Sequence, residues 1–156
     1  MNELHVFIGT IFVGTLRPYE GGETVTFEYT AGAGPTLSLS MPRSPRSVAP
    51  ETATSFFQNL LPEGLALQKL LRARRSQPTL FDLLHDYGPD APGAVRILAP
   101  DIPPDLPADY EAILPEDLPA FLTSLRRVPI TGGSRRVRLS LAGAQEKTGV
   151  LERDGR

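Results

Sequence analysis

With 156 residues, 40% of them hydrophobic, the chain is long enough for one core of ordinary size or for two small lobes sharing an interface. A formal charge of −2 argues against a nucleic-acid coat or a basic membrane-binding protein, and the absence of cysteine removes disulfide frameworks and thiolate zinc sites. The opening Met1-Asn2-Glu3-Leu4-His5 lacks the basic and apolar regions of a secretory signal, and no stretch approaches the roughly 20 apolar residues of a membrane helix. A soluble cytoplasmic protein with no direct nucleic-acid binding is expected.

The first thirty residues read as an antiparallel meander. Leu4 to Ile8 and Ile11 to Leu16 flank Gly9-Thr10, with glycine where a II′ hairpin wants it, and Glu20-Gly21-Gly22 leads to a strand from Thr24 to Thr30. In that strand Val25, Phe27 and Tyr29 share one face, and Thr26 and Glu28 the other. Leu37 to Met41 is predicted as a fourth strand, ended by Pro42-Arg43-Ser44-Pro45.

After Pro50 the period becomes helical through Ala53, Phe56, Phe57, Leu60 and Leu61, until Pro62-Glu63-Gly64 breaks it. Leu67, Leu70 and Leu71 suggest a second helix with Arg72, Arg74 and Arg75 at its C-terminal end. Thr79 and Asp82 form a variant capping box before Leu80, Phe81, Leu83 and Leu84, and Gly88 is placed to end this third helix. Ala94 to Leu98 returns to strand character. The proline- and acid-rich stretch 100–119 reads as a surface connector, and Leu118, Phe121, Leu122 and Leu125 give a short amphipathic helix.

Near the end, Val137, Leu139 and Leu141 alternate with Arg136, Arg138 and Ser140, the two-residue period of a half-buried strand. The strand runs into Ala142-Gly143-Ala144-Gln145-Glu146-Lys147, where near-absent side chains let backbone N–H groups approach an anion and Lys147 adds a mobile positive charge. A second strand follows from Thr148 to Asp154-Gly155, a hairpin dipeptide whose return strand would need sequence beyond Arg156. The turn lacks Walker-type spacing, and taken alone it is a weak signal that reads first as an ordinary hairpin.

Three segments taken together resemble the HipA family of serine/threonine kinase toxins of bacterial toxin–antitoxin systems: Phe56-Phe57-Gln58-Asn59-Leu60-Leu61-Pro62-Glu63-Gly64, then Phe81-Asp82-Leu83-Leu84 leading to Gly88, Asp90 and Gly93-Ala94-Val95, then Ser140 to Thr148. The resemblance implies an α+β fold, with an N-terminal antiparallel meander or small barrel packed with helices, followed by the start of a kinase-like N-lobe sheet. It divides the chain into an N-terminal subdomain over 1–99, a connector over 100–119, and the beginning of the N-lobe over 120–156.

By the same resemblance, Ala142, Gly143, Ala144, Gln145, Glu146 and Lys147 contact ATP, Ser140 is the autophosphorylated serine, and magnesium serves the complete protein. A phosphate on Ser140 would set about two negative charges beside a turn built for other phosphates, a physical reason for such a switch. The catalytic and metal-binding aspartates lie in a further lobe, so this chain alone is expected to be inactive. The implied partners are a helix-turn-helix HipB-like antitoxin and a protein substrate. The alternative is a standalone docking or antitoxin module that restrains a separately encoded HipA-like kinase.

Other residues read as structural. Phe56, Phe57, Leu60 and Leu61 are core by their spacing, Asp82 caps a helix, and Asp90 sits in a proline-glycine turn. Asn59 is read as bonding a neighbouring loop, against a contact with a partner. His5 and His85 have no companion at metal-ligand spacing, and the arginines at 126, 127, 135, 136 and 138 read as solvated surface.

Overall fold

A computed structural model describes residues 2–61, 77–91, 93–105 and 112–125. Its centre is a five-stranded antiparallel sheet in the order β4-β3-β2-β1-β5: β1 Leu4–Ile8, β2 Ile11–Tyr19, β3 Thr24–Tyr29, β4 Ser47–Val48 and β5 Val95–Leu98. Among the described residues the sheet is an open meander. Of the two expected forms, the meander rather than the closed barrel is present.

The β1–β2 turn is the II′ turn expected, with Gly9 at φ 61° and Thr10 outside the left-handed region. A bulge then changes the phase of β2. Val6 pairs with Gly14 but Phe7 pairs with Phe12, which leaves Val13 as the additional residue. Side chains alternate across a sheet, so this one inserted position moves Phe12 off the helix-covered face and onto the opposite one. The second turn spans Glu20–Gly22, with Glu20, Gly21 and Gly22 all at positive φ.

The structure corrects the expected fourth strand. Leu37 to Met41 forms no strand beyond one isolated bridge between Ser38 and Met41, and the strand that does pair with β3 is Ser47–Val48. The physical reason lies in the Tyr29 side chain. Its buried hydroxyl accepts from the Leu37 N–H at 3.0 Å and donates to the Met41 carbonyl at 2.6 Å, satisfying backbone groups that a ladder would otherwise use.

Two helices cover one face of the sheet. The first, α1 (Pro50–Gln58), carries proline at its first turn and buries Ala53 and Phe57 against β3. Thr54 completes that contact, its hydroxyl accepting from the Val25 N–H at 3.0 Å where β4 is too short to reach. The second, α2 (Leu80–Tyr87), starts with the expected capping box: the Asp82 N–H donates to Thr79 Oγ1 at 3.2 Å and the Thr79 N–H to Asp82 Oδ2 at 2.9 Å. It buries Leu80, Phe81, Leu83 and Leu84.

Gly88 ends α2 as expected, but for a different reason. Its φ of −59° is one that any residue adopts. A Cβ there would lie 2.5 Å from the Ile97 Cβ, so the glycine marks close approach of the chain to β5 rather than a left-handed cap. A last helix, α3 (Leu118–Leu125), has the bounds that the pattern gave. The second predicted helix, around Leu67 to Leu71, and the kinase-like sheet after residue 125 lie outside the described residues. No helix among the described residues is long and apolar enough to cross a membrane.

Candidate functional site

Ser140 and the turn Ala142, Gly143, Ala144, Gln145, Glu146 and Lys147 lie outside the described residues, as does Pro62-Glu63-Gly64. What the structure places is the platform formed by the other motif segments. Phe57 stands at its centre, with ring centroids 5.5 Å from Phe27 and 5.1 Å from Phe56, while Phe27 meets Tyr29 edge-to-face at 4.9 Å. The Phe56–Leu61 and Phe81–Val95 segments therefore share one core under one face of the sheet, with Leu61, Phe81, Leu84 and Ile97 in the same buried cluster.

Of the polar residues in those segments, Asp82 is the cap and Asp90 closes a 3-10 turn over Gly88–Asp90. Asn59 is exposed, and its side chain makes no hydrogen bond among the described residues; its backbone N–H turns to the Phe57 and Ser55 carbonyls, the latter at 3.4 Å. His85 is exposed and contacts Asp86 at 2.8 Å, and His5 lies 3.9 Å from Glu3. No group of three His, Asp or Glu among the described residues could hold a metal ion.

Two features escaped the sequence. One is a latch on the 30–46 connection, where the Arg43 guanidinium donates to the carbonyls of Thr30 (2.8 Å), Gly32 (3.0 Å) and Pro35 (3.0 Å) and stacks 4.7 Å from the Tyr29 ring centroid. Burial pushes the Tyr29 phenol up from its ordinary value, against the opposing pull of the Leu37 N–H and Arg43, so it stays a neutral donor. The latch fixes the turn Ser38–Met41, closed by the Met41 N–H on the Ser38 carbonyl at 3.0 Å, and leaves Leu39 100% exposed at its apex. Nothing in Pro42-Arg43-Ser44-Pro45 announces a guanidinium shared among three distant carbonyls.

The other is the sheet face away from the helices. Along it runs a row of charges, with Arg17 3.1 Å from Glu3 and 3.6 Å from Glu28, and Arg46 3.9 Å from Glu28. Beside that row the bulge gathers an aromatic cluster, Phe12 lying 5.0 Å from His5 and 5.6 Å from Phe7. The symmetric flanks Phe7-Ile8 and Ile11-Phe12 about Gly9-Thr10 were the available signal, since a two-residue turn sets Phe7 opposite Phe12 and Ile8 opposite Ile11.

Comparison with known proteins agrees with the motif segments. Residues 4–98 match the family described as the HipA N-terminal domain, a span that begins with β1 and ends with β5. The chain is also 34% identical over 127 residues to a Sinorhizobium fredii (strain NBRC 101917 / NGR234) protein named "Putative kinase Y4mE", with 76% of this chain and 30% of the relative covered. That coverage exceeds the 4–98 span, so the likeness continues past Leu98. The chain spans about a third of the relative's length.

Proposed function

The chain belongs to the HipA family, with residues 4–98 as the family's N-terminal domain, and from that premise we propose that it serves as the N-terminal part of a HipA-like serine/threonine kinase. The observation that carries the reading is the likeness to a kinase-named protein, which runs beyond the N-terminal domain into the connector. In this reading the platform of α1, α2 and the sheet is a rigid support. The turn Ala142, Gly143, Ala144, Gln145, Glu146 and Lys147 lies over the phosphates of ATP, its amides donating and Lys147 countering charge. ATP with magnesium supplies the transferable phosphoryl group.

Ser140 is the autophosphorylation site, where a dianion would repel bound phosphates and switch the turn away. The groups that position the acceptor hydroxyl and neutralise developing charge belong to the remainder of the kinase, so the 156-residue chain binds nucleotide weakly and transfers nothing by itself. The partners that follow are a helix-turn-helix antitoxin and a protein substrate bearing the acceptor hydroxyl.

The test is phosphoryl transfer by a protein that carries this chain as the N-terminal part of a complete HipA-like kinase. With Mg-ATP, label is expected on Ser140 and is lost in Ser140→Ala, while Lys147→Ala weakens nucleotide binding. A complete product that neither binds ATP nor labels Ser140 would overturn the reading. Co-purification of the unextended chain with a kinase lacking this domain would favour the docking module instead.

A further inference from the structure

On the outer face of the sheet, two apolar residues are shut off from water without belonging to the main core. Phe7 is 7% exposed and Leu98 5%, yet neither is part of the buried cluster around Phe57. Phe7 pairs with Arg96 and His5 with Leu98, so Phe7, Arg96 and Leu98 project together from the face that α1 and α2 leave uncovered. On the β2 side Phe7 is flanked by the rings of Phe12 at 5.6 Å and His5 at 6.4 Å. The β5 side needs a cover of another kind.

The described segment that reaches that side is the one that follows the strand. Proline cannot donate to a ladder, and β5 stops at Leu98, two residues before Pro100. The Ile102 N–H then donates to the Ala99 carbonyl at 3.0 Å, which turns the chain, and Arg96 Nη1 donates to the Pro104 carbonyl at 2.6 Å. Arg96 stands two residues before Leu98 on the same face, so the stretch from Ala99 to Pro104 doubles back past Leu98 to reach it. Ala99 is buried and Pro104 half-buried, while Pro100, Asp101, Ile102 and Pro103 face water.

The attachment is slight. Among the described residues, that turn and the Arg96 bond are the hydrogen bonds that hold the segment, and no ladder supports it. A stretch tied at so few points opens locally while the sheet beneath it stays folded. Prolines at 100, 103 and 104 keep its backbone near the docked shape even when it is open, so closing again costs little conformational entropy. These are the properties of a reversible cover, not of core packing.

We propose that residues 99–105 form a strap that closes over Phe7 and Leu98, with the Arg96 guanidinium as its catch. Closed, the strap seals the two apolar side chains and folds its own length back on the sheet. Open, it uncovers both and gives the chain after Asp105 roughly 20 Å more reach from β5. The device is built from the domain and the segment beside it, so it stands or falls separately from the kinase reading.

The 156-residue chain has no cysteine, so one introduced thiol reports the opening without interference. Leu98→Cys is expected to react slowly with an aromatic disulfide reagent, and about tenfold or more faster once Arg96→Met removes the catch. Ala99→Cys, a smaller change of volume within the strap itself, repeats the reading and guards against a misfolded Leu98 variant, cooperative thermal unfolding being the check on each. Ala53→Cys, wholly buried in α1, should react equally slowly with and without Arg96. Thiol rates at positions 98 and 99 that are unchanged by Arg96→Met in folded chains would overturn the proposal. So would an increase just as large at Ala53→Cys, which would make Arg96 a support of the whole fold instead of a catch.

Discussion

On the helix-covered face of the sheet, Leu4, Val6, Leu16, Val25, Phe27, Tyr29 and Ile97 are shut off from water, whereas the opposite face holds its charges half-exposed in pairs. The first face is held by burial and close contact, which charge screening does not weaken. The second is held by exposed ion pairs, which screening reduces. Stability therefore resides mainly on the helix-covered side. Substitutions on each side either sharpen that division or erase it.

The largest loss is expected at Phe57. Its ring is wholly buried between Phe27 and Phe56 at the junction of α1 and β3, so Phe57→Ala should cost about 3–5 kcal/mol. Chemical denaturation measures it directly. A loss below about 1 kcal/mol would mean that the helix layer is not what secures the sheet.

Next come the glycines of close approach. A Cβ on Gly14 would lie 2.2 Å from the Glu28 carbonyl oxygen and 2.6 Å from the Phe27 ring, neither of which can swing aside without disturbing β3. Gly14→Ala should destabilise by about 1–3 kcal/mol through overpacking. Gly88→Ala, against the Ile97 Cβ at 2.5 Å, should do the same. By contrast Gly32→Ala meets nothing within 4 Å and carries only the strain of φ 89°. Thermal melts of the three variants, compared side by side, separate crowding from strain.

Tyr29→Phe probes the polar contact buried on the apolar side. It deletes the acceptor for Leu37 N–H and the donor to Met41, and should cost about 1–3 kcal/mol near neutral pH. Burial raises the folded phenol above its unfolded value, so on raising pH the unfolded chain gives up this proton first. Tyr29 then contributes stability in full below about pH 10, the ordinary tyrosine value, and loses it as pH climbs through the folded value. The gap between parent and variant should narrow in alkali; a gap that widens would contradict a buried neutral phenol.

What could be read from the sequence follows from the same division. The alternation in Val25, Phe27 and Tyr29, the helical spacing of Ala53 and Phe57, and the Thr79–Asp82 cap are local signals, and each lies where the pattern put it. Leu37 to Met41 misled because its alternation is real while its backbone partners are taken by a phenol eight residues away in sequence. Gly88 was legible as an end but not as a contact, since Ile97 comes near only once β5 has folded. The bulge at Val13 depends on pairing with β1, which no single strand records. For the candidate site, two motif segments are now seen to share one core, while Ser140 and the Ala142–Lys147 turn lie outside the described residues.

The smallest effect is expected on the outer face, and its smallness is the informative part. Arg17 joins Glu3 at 3.1 Å and Glu28 at 3.6 Å, with all three side chains close to half-exposed. Exposed pairs of this kind gain little because water already solvates both charges and ordering long side chains opposes the attraction. Arg17→Gln should therefore change stability by less than about 1 kcal/mol, with the difference shrinking further at high salt. Denaturation curves at low and high ionic strength decide it. A salt-independent loss of about 2 kcal/mol or more would place part of the fold's support on the charged face, and the contrast between the two sides of the sheet would fail. A small, salt-sensitive change instead leaves the helix-covered face as the side that holds the fold.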